Sequence, residues 1–169
     1  MKETEEYYNF TDRQKWQHGL NGTPKKNWVK SRNLGAGKKS FYIPIEVQQA
    51  LADVFFNEFD VVKCEPMVIA NEIVCTVTIS LLPSYPNSEH RTITGSASKP
   101  IQCDSGSSPA KFPLGKKTNA LEYNLPAART AAISNALTTF GNVFGRNLGR
   151  SVSAGYNMNE KTKKSKKDE

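Results

Sequence analysis

The chain is short of metal-binding and disulfide-forming residues. Cys64, Cys75 and Cys103 are its three cysteines, and His18 and His90 its two histidines. No two cysteines have the C-x-x-C spacing and their number is odd, so neither a disulfide framework nor a thiolate zinc site is expected. Two isolated histidines do not make a His-based metal site. No apolar run approaches the ~18 residues that a membrane helix needs. The first six residues, MKETEE, are acidic and lack the apolar core of a signal peptide. The expectation is a soluble, cytoplasmic protein. Hydrophobic residues make up 37% of the 169, which is low for a globular chain and predicts some tail or loop. The length suits one domain with a real core, not two.

Acidic residues are missing from long stretches. From Arg13 to Lys39 there are eight basic residues and no acidic one; from Lys111 to Arg150 there are six against Glu122 alone. Between them, from Ser40 to Ala110, eight acids face three bases. The net charge of +7 is therefore laid out as two basic blocks around a mildly acidic middle. Such blocks attract polyanions, because neutralising phosphates releases counterions. Trp16, Trp28, Phe41 and Tyr42 are interleaved with the first block, which favours nucleic acid over a merely solvated basic surface.

Hydrophobic spacing and turn residues predict the elements. Residues 10–20 can form a short helix. Gly19 to Pro24 breaks it, Asn33 to Gly37 reads as a turn, and Lys39 to Ile43 as a strand. Pro44 suits the first turn of a helix over 44–57, whose apolar face is Val47, Ala50, Leu51, Val54 and Phe55. Asp60–Ile69, Glu72–Leu82 and His90–Ser98 read as three strands of an antiparallel meander, with Ala70-Asn71 as a tight hairpin turn. Lys99 to Lys117, with three prolines and two glycines, reads as a long loop or an extended excursion from the sheet. Leu121, Leu125, Ala128, Ala132, Ala136, Phe140, Phe144 and Leu148 recur every three or four residues. They predict a long helix capped by Asn124, with Pro126 in its first turn, running to about residue 148. Gly141, Gly145 and Gly149 predict a close backbone approach along it. After Ser151 the chain is polar and lysine-rich, and disorder is expected. The fold class is α+β: strand, helix, three-stranded meander, long helix.

That order, together with two stretches, resembles the Rad-fifty-two family of single-strand annealing proteins, in its phage and bacterial form. The first stretch runs from Trp28 through Ser31-Arg32, the Asn33-Leu34-Gly35-Ala36-Gly37 turn and Tyr42-Ile43. The second runs from Ala120-Leu121-Glu122 to Ala136-Leu137-Thr138-Thr139-Phe140-Gly141-Asn142-Val143-Phe144-Gly145. Thr94-Gly95 sits where the family has a strand glycine. The resemblance covers about residues 28–150. It divides the chain into an N-terminal arm with a short helix over 1–24, an annealing domain over 25–150 and a tail over 151–169. It implies a ring or helical homo-oligomer of many subunits, with single-stranded DNA in a basic groove and its bases outward, and no nucleotide cofactor. It implies no catalytic residue and no metal. A single-strand-binding protein or an exonuclease is the implied partner, and the lack of a long C-terminal extension suggests a phage or bacterial source.

Residue by residue, Arg32 matches a groove position expected to hold phosphate, since backbone contacts leave bases readable. Tyr42 matches another, as backbone contact or as support for Arg32; a core strand aromatic is the alternative. Lys30, Lys38 and Lys39 add local positive potential, or are solvated. On the long helix the family's basic groove residues are replaced by Ser134, Asn135 and Thr138. Asn135, Thr138, Asn142 and Arg146 form a polar ridge, and Arg146 and Arg129 are expected to restore part of the charge. Lys116 and Lys117 fall near a second, outer DNA site, or are a solvated loop pair. The lysine-rich tail adds nonspecific DNA attraction, or serves as an import signal or solubility tail. Two other classes remain. A metal nuclease would need the carboxylates Asp53, Glu58, Asp60 and Glu65 to converge. A generic RNA-binding or assembly module would prefer structured RNA.

Overall fold

A computed structural model of the chain describes residues 10–106 and 115–148. The acidic start 1–9, positions 107–114 of the long loop, Gly149, Arg150 and the lysine-rich tail lie outside the described residues. In chain order the elements are α1 (Asp12–Leu20), a 3-10 turn (Lys26–Trp28), β1 (Lys30–Gly35), β2 (Lys38–Tyr42), α2 (Ile45–Phe55), β3 (Phe56–Ile69), β4 (Glu72–Pro83), β5 (Arg91–Pro100), α3 (Ala120–Thr138) and a second 3-10 turn (Asn142–Phe144). The chain is mixed α+β, with the three-stranded antiparallel sheet β3-β4-β5 followed by a helix. No helix among the described residues is long and apolar enough to cross a membrane.

The meander arises from strict alternation in β4. Ile73, Cys75, Val77, Ile79, Leu81 and Pro83 are buried, and every residue between them is half-buried. One face of a pleated strand thus meets the core. Ala70 takes φ of 52°, the left-handed turn conformation between β3 and β4. β3 starts at Phe56, four residues earlier than the sequence predicts, because the strand leaves α2 directly and Phe56 caps that helix. Two register shifts, at Phe56/Glu58 and Val61/Lys63, interrupt its pairing and blur the alternation in the sequence.

α1 opens on a reciprocal capping box between Thr11 and Gln14. Its Trp16 donates an indole hydrogen bond to the Phe55 carbonyl at 2.7 Å. Trp16, Phe55, Phe56, Phe59, Tyr85, Phe140 and Phe144 gather where α1, α2 and the chain after α3 meet one end of the sheet.

Four expectations need correction. β1 has no counterpart in the sequence-based elements: Lys30–Gly35 pairs with β2 in an antiparallel hairpin, and the turn narrows to Gly35, Ala36 and Gly37, all with positive φ. Every residue of β1 is exposed, so no burial pattern marks it in the sequence. Pro44 stands before α2 in extended conformation rather than within its first turn. Asn124 does not cap the long helix. That helix begins at Ala120 after a left-handed Asn119, and Pro126 lies inside it. Finally, the helix stops at Thr138, ten residues short of the expected 148. Beyond it, Gly141 packs so close to the Leu20 carbonyl that a side chain would collide, and Gly145 is left-handed with φ of 98°. The close backbone approach is met at Gly141 only, in a turn after the helix; Gly145 faces side chains of Leu148 and Ile43, and Gly149 lies outside the described residues.

α3 lies across β5 and β4. Ala128, Ala132 and Ala136 are fully buried along it. A methyl built on Gly95 of β5 would strike the Ala132 carbonyl and lie 2.7 Å from the Ala136 nitrogen. Gly95→Ala is therefore expected to lower unfolding free energy by about 1–3 kcal/mol, the cost of overpacking a filled core. Denaturant melts check it. At an open strand position the same change would be neutral or stabilising, and that result would refute the tight helix–sheet contact.

Candidate nucleic-acid interface

The hairpin β1-β2 projects from the body, and every residue of it but Ser40 is exposed. A cleft of about 630 Å³ separates it from α3. Arg32, Ser40, Phe41 and Tyr42 line the hairpin side, and Ala127, Thr130, Ala131, Ser134, Asn135 and Thr138 line the helix side. The helix residues fall at three- and four-residue spacing, which stacks them on one face. Lys99 closes the sheet side, and Gln48 and Phe144 belong to the wall beneath.

Within the hairpin, Lys30 pairs with Tyr42 and Arg32 with Ser40, so the four share a face. The Arg32 guanidinium carbon lies 6.0 Å from the Tyr42 ring centre, within cation–π range. The ring thereby steers the cation without neutralising it. Gln48 is fully buried and donates from Nε2 to the Phe144 carbonyl at 2.9 Å. Its Oε1 has no donor among the described residues. The cleft thus carries two cations, Arg32 and Lys99, one acid, Glu46, and a row of hydroxyls and amides. Such a lining suits an extended anionic chain bound through its backbone.

The sequence-derived residues divide sharply by location. Arg32, Tyr42, Asn135 and Thr138, with Ser134, come together across the cleft. Lys30 and Lys38 are on the same hairpin face but outside the lining, and alternation puts Lys39 on the opposite face. Asn135 spends one amide hydrogen on the Ser96 carbonyl of β5, at 2.8 Å, and the Thr138 hydroxyl donates to the Asn135 carbonyl, also at 2.8 Å. The ridge that spacing predicts breaks after Thr138, where the helix ends; Asn142 instead donates to the Asn21 carbonyl at 3.3 Å. Arg146 donates to the carbonyls of Thr138 and Thr139, closing the helix C-terminus, and does not line the cleft. Arg129 is also absent from the lining; its charge favours the Cys75 thiolate, against the larger effect of burial. Lys116 and Lys117 are exposed beside a bridge between Cys103 and Lys116, away from the cleft.

Among the carboxylates, Glu58 meets His90 at 3.6 Å and Glu65 pairs with Lys63 at 2.9 Å. No three or more His, Cys, Asp or Glu among the described residues gather so as to hold a metal.

Lys99 and Thr130 line the cleft but are not among the sequence-derived site residues; for Lys99 the pattern is readable in β5. Ile93, Gly95, Ala97 and Lys99 alternate, which aims a lysine at the helix side of β5. No family model matches this chain, and no curated protein matches it.

Arg146 satisfies helix-terminal carbonyls, and such bonds stabilise a helix end. Arg146→Ala is expected to cost about 0.5–1.5 kcal/mol, the usual net worth of such hydrogen bonds. Thermal or urea melts measure it, and an unchanged midpoint would show that the capping carries no weight.

Proposed function

We propose that this protein binds single-stranded DNA along the cleft between the hairpin and α3, as a homo-oligomer of many subunits, and anneals complementary strands. It acts without ATP, in homologous recombination and double-strand break repair. The observation that carries the reading is the meeting of Arg32 and Tyr42 with Ser134, Asn135 and Thr138 across one cleft. These residues come from two stretches about a hundred positions apart in sequence, and they are the positions the family resemblance singled out. Their convergence supports the site, while the activity rests on the resemblance.

The mechanism follows from what the lining can and cannot do. Arg32 and Lys99 attract the phosphates; the hydroxyls of Ser134 and Thr130 and the Tyr42 phenol supply neutral hydrogen bonds to phosphate and sugar. Contacts to phosphate and sugar carry no sequence information, so in this reading the bases stay free to meet a second strand. With two cations per subunit the affinity of one copy is low. A row of copies multiplies it, because each further site on the same strand binds at high effective concentration. Polyvalent, charge-poor contact also lets a strand shift register while pairing is tested.

Arg32→Ala and Lys99→Ala are each expected to weaken binding to a single-stranded oligonucleotide several-fold. Each also makes the slope of log K against log salt shallower, by about 0.7 for every phosphate that is no longer neutralised. Lys39→Ala, outside the cleft lining, should change little. Fluorescence anisotropy over a salt series measures both quantities, and equal effects of all three substitutions would move the site away from the cleft. The activity itself is tested by annealing of complementary oligonucleotides without ATP, with mass photometry of the same sample. No acceleration, coupled with preference for structured RNA, would overturn the reading in favour of an RNA-binding module.

A further inference from the structure

β3 is an edge strand, and beyond the register shift at Val61/Lys63 it is uncovered: every residue from Val62 to Ile69 is exposed. Two of the three cysteines meet at this place. Cys64 of β3 is opposite Val77 and Cys75 of β4 is opposite Pro66, so the cysteines are diagonal neighbours on the face toward α3. Their Sγ atoms are 3.4 Å apart. Cys64 is exposed and Cys75 fully buried. The third cysteine, Cys103, is half-buried and engaged with the Ile101 carbonyl at 3.6 Å.

We infer that Cys64 and Cys75 form a reversible dithiol–disulfide site, oxidised by low-molecular-weight disulfides of the glutathione type. This inference is independent of the DNA-binding reading. The asymmetry of the pair sets the order of events. Burial, and then the neighbouring Cys64, push the Cys75 thiol up from 9.0 to about 11, while the charge of Arg129 pulls modestly the other way. Cys75 therefore stays protonated and out of reach of solvent, and cannot start the exchange. The exposed Cys64 starts it: its thiolate attacks one sulfur of the oxidant, a Cys64–oxidant mixed disulfide forms, and one small thiolate leaves. Cys75 then attacks the Cys64 sulfur, its proton passing to the departing thiolate. The second small thiol is released as the Cys64–Cys75 bond forms. Two protein thiols are oxidised to one disulfide, and one small disulfide is reduced to two thiols.

Geometry favours a labile bond rather than a permanent one. Diagonal partners in an antiparallel pair are ~7–8 Å apart at Cα, beyond the roughly 4.4–6.8 Å that an unstrained disulfide spans, so the bond forms only if the backbone moves. The sulfurs must close from 3.4 Å to bonding distance, and the strand must yield. An edge strand following a bulge, uncovered on both faces, is the part of this sheet best able to do so. A bond made under such strain is readily reduced. In a reducing environment the pair rests as two thiols, and an oxidising one cross-links the edge strand to the centre of the sheet.

The test uses the full chain carrying Cys103→Ser, which leaves the pair alone. Incubation with oxidised glutathione, followed by intact-mass and peptide mapping, is expected to give a chain lighter by two hydrogen atoms. The Cys64 and Cys75 peptides should be joined within that chain. Maleimide labelling of Cys64 should be lost in parallel and return after dithiothreitol. Adding Cys64→Ser, at an exposed position, should abolish the product while the thermal melt stays cooperative. A stable glutathione adduct on Cys64 without ring closure, links only between chains, or no reaction would each overturn the inference.

Discussion

The close contact between Gly95 and the Ala132–Ala136 turn of α3 governs the rest of the structure. A strand glycine beneath a column of alanines brings the helix backbone nearer the sheet than larger residues would allow. At that distance one row of helix residues is buried and the adjoining row, from Ala127 to Thr138, is left facing the hairpin. The rotation of α3 is thereby set to within a fraction of a turn. Asn135 pins it from the side by bonding a carbonyl of β5. Packing and polar satisfaction agree, which is how one arrangement is specified over its neighbours.

The same contact selects which face of α3 borders the cleft, and that face carries no charged side chain. The helix face beside it carries Ser134, Asn135 and Thr138, and the two helix-region arginines expected to compensate lie outside the lining: Arg146 donates to carbonyls at the helix end, and the charge of Arg129 acts on Cys75. Positive charge comes instead from the hairpin and from the end of β5. Arg32 is carried on an arm whose own strands are exposed, so its position relative to α3 depends on few contacts. The cleft is accordingly a rigid polar wall facing a basic arm. That division suits a long flexible polyanion better than a small rigid ligand.

Much of the fold was legible because the physics that forms it is local. The alternation from Ile73 to Leu81, the turn at Ala70-Asn71 and the three-four spacing of apolar residues from Ala128 to Ala136 each report a face in contact with the core. What stayed hidden lacks such a signature. β1 buries nothing, so no pattern betrays it. The apolar spacing continues through Phe140 and Phe144 although the helix stops at Thr138, because those rings belong to an aromatic cluster reached by a turn rather than by a longer helix. Periodicity records that residues are buried, not that a single helix carries them.

The sequence by itself determined the α+β class, the order of the meander and final helix, the basic and acidic blocks, and the glycine-bearing turn that separates Arg32 from Tyr42. All of these follow from neighbours within about a dozen residues. Only the tertiary structure decided which polar residues share a cleft, that Lys99 joins them, that Arg129 and Arg146 do not, and that Cys64 meets Cys75. Spacing along one element fixes a side chain's direction about that element. Which direction faces the cleft depends on how closely α3 settles on Gly95, a contact between segments some forty residues apart.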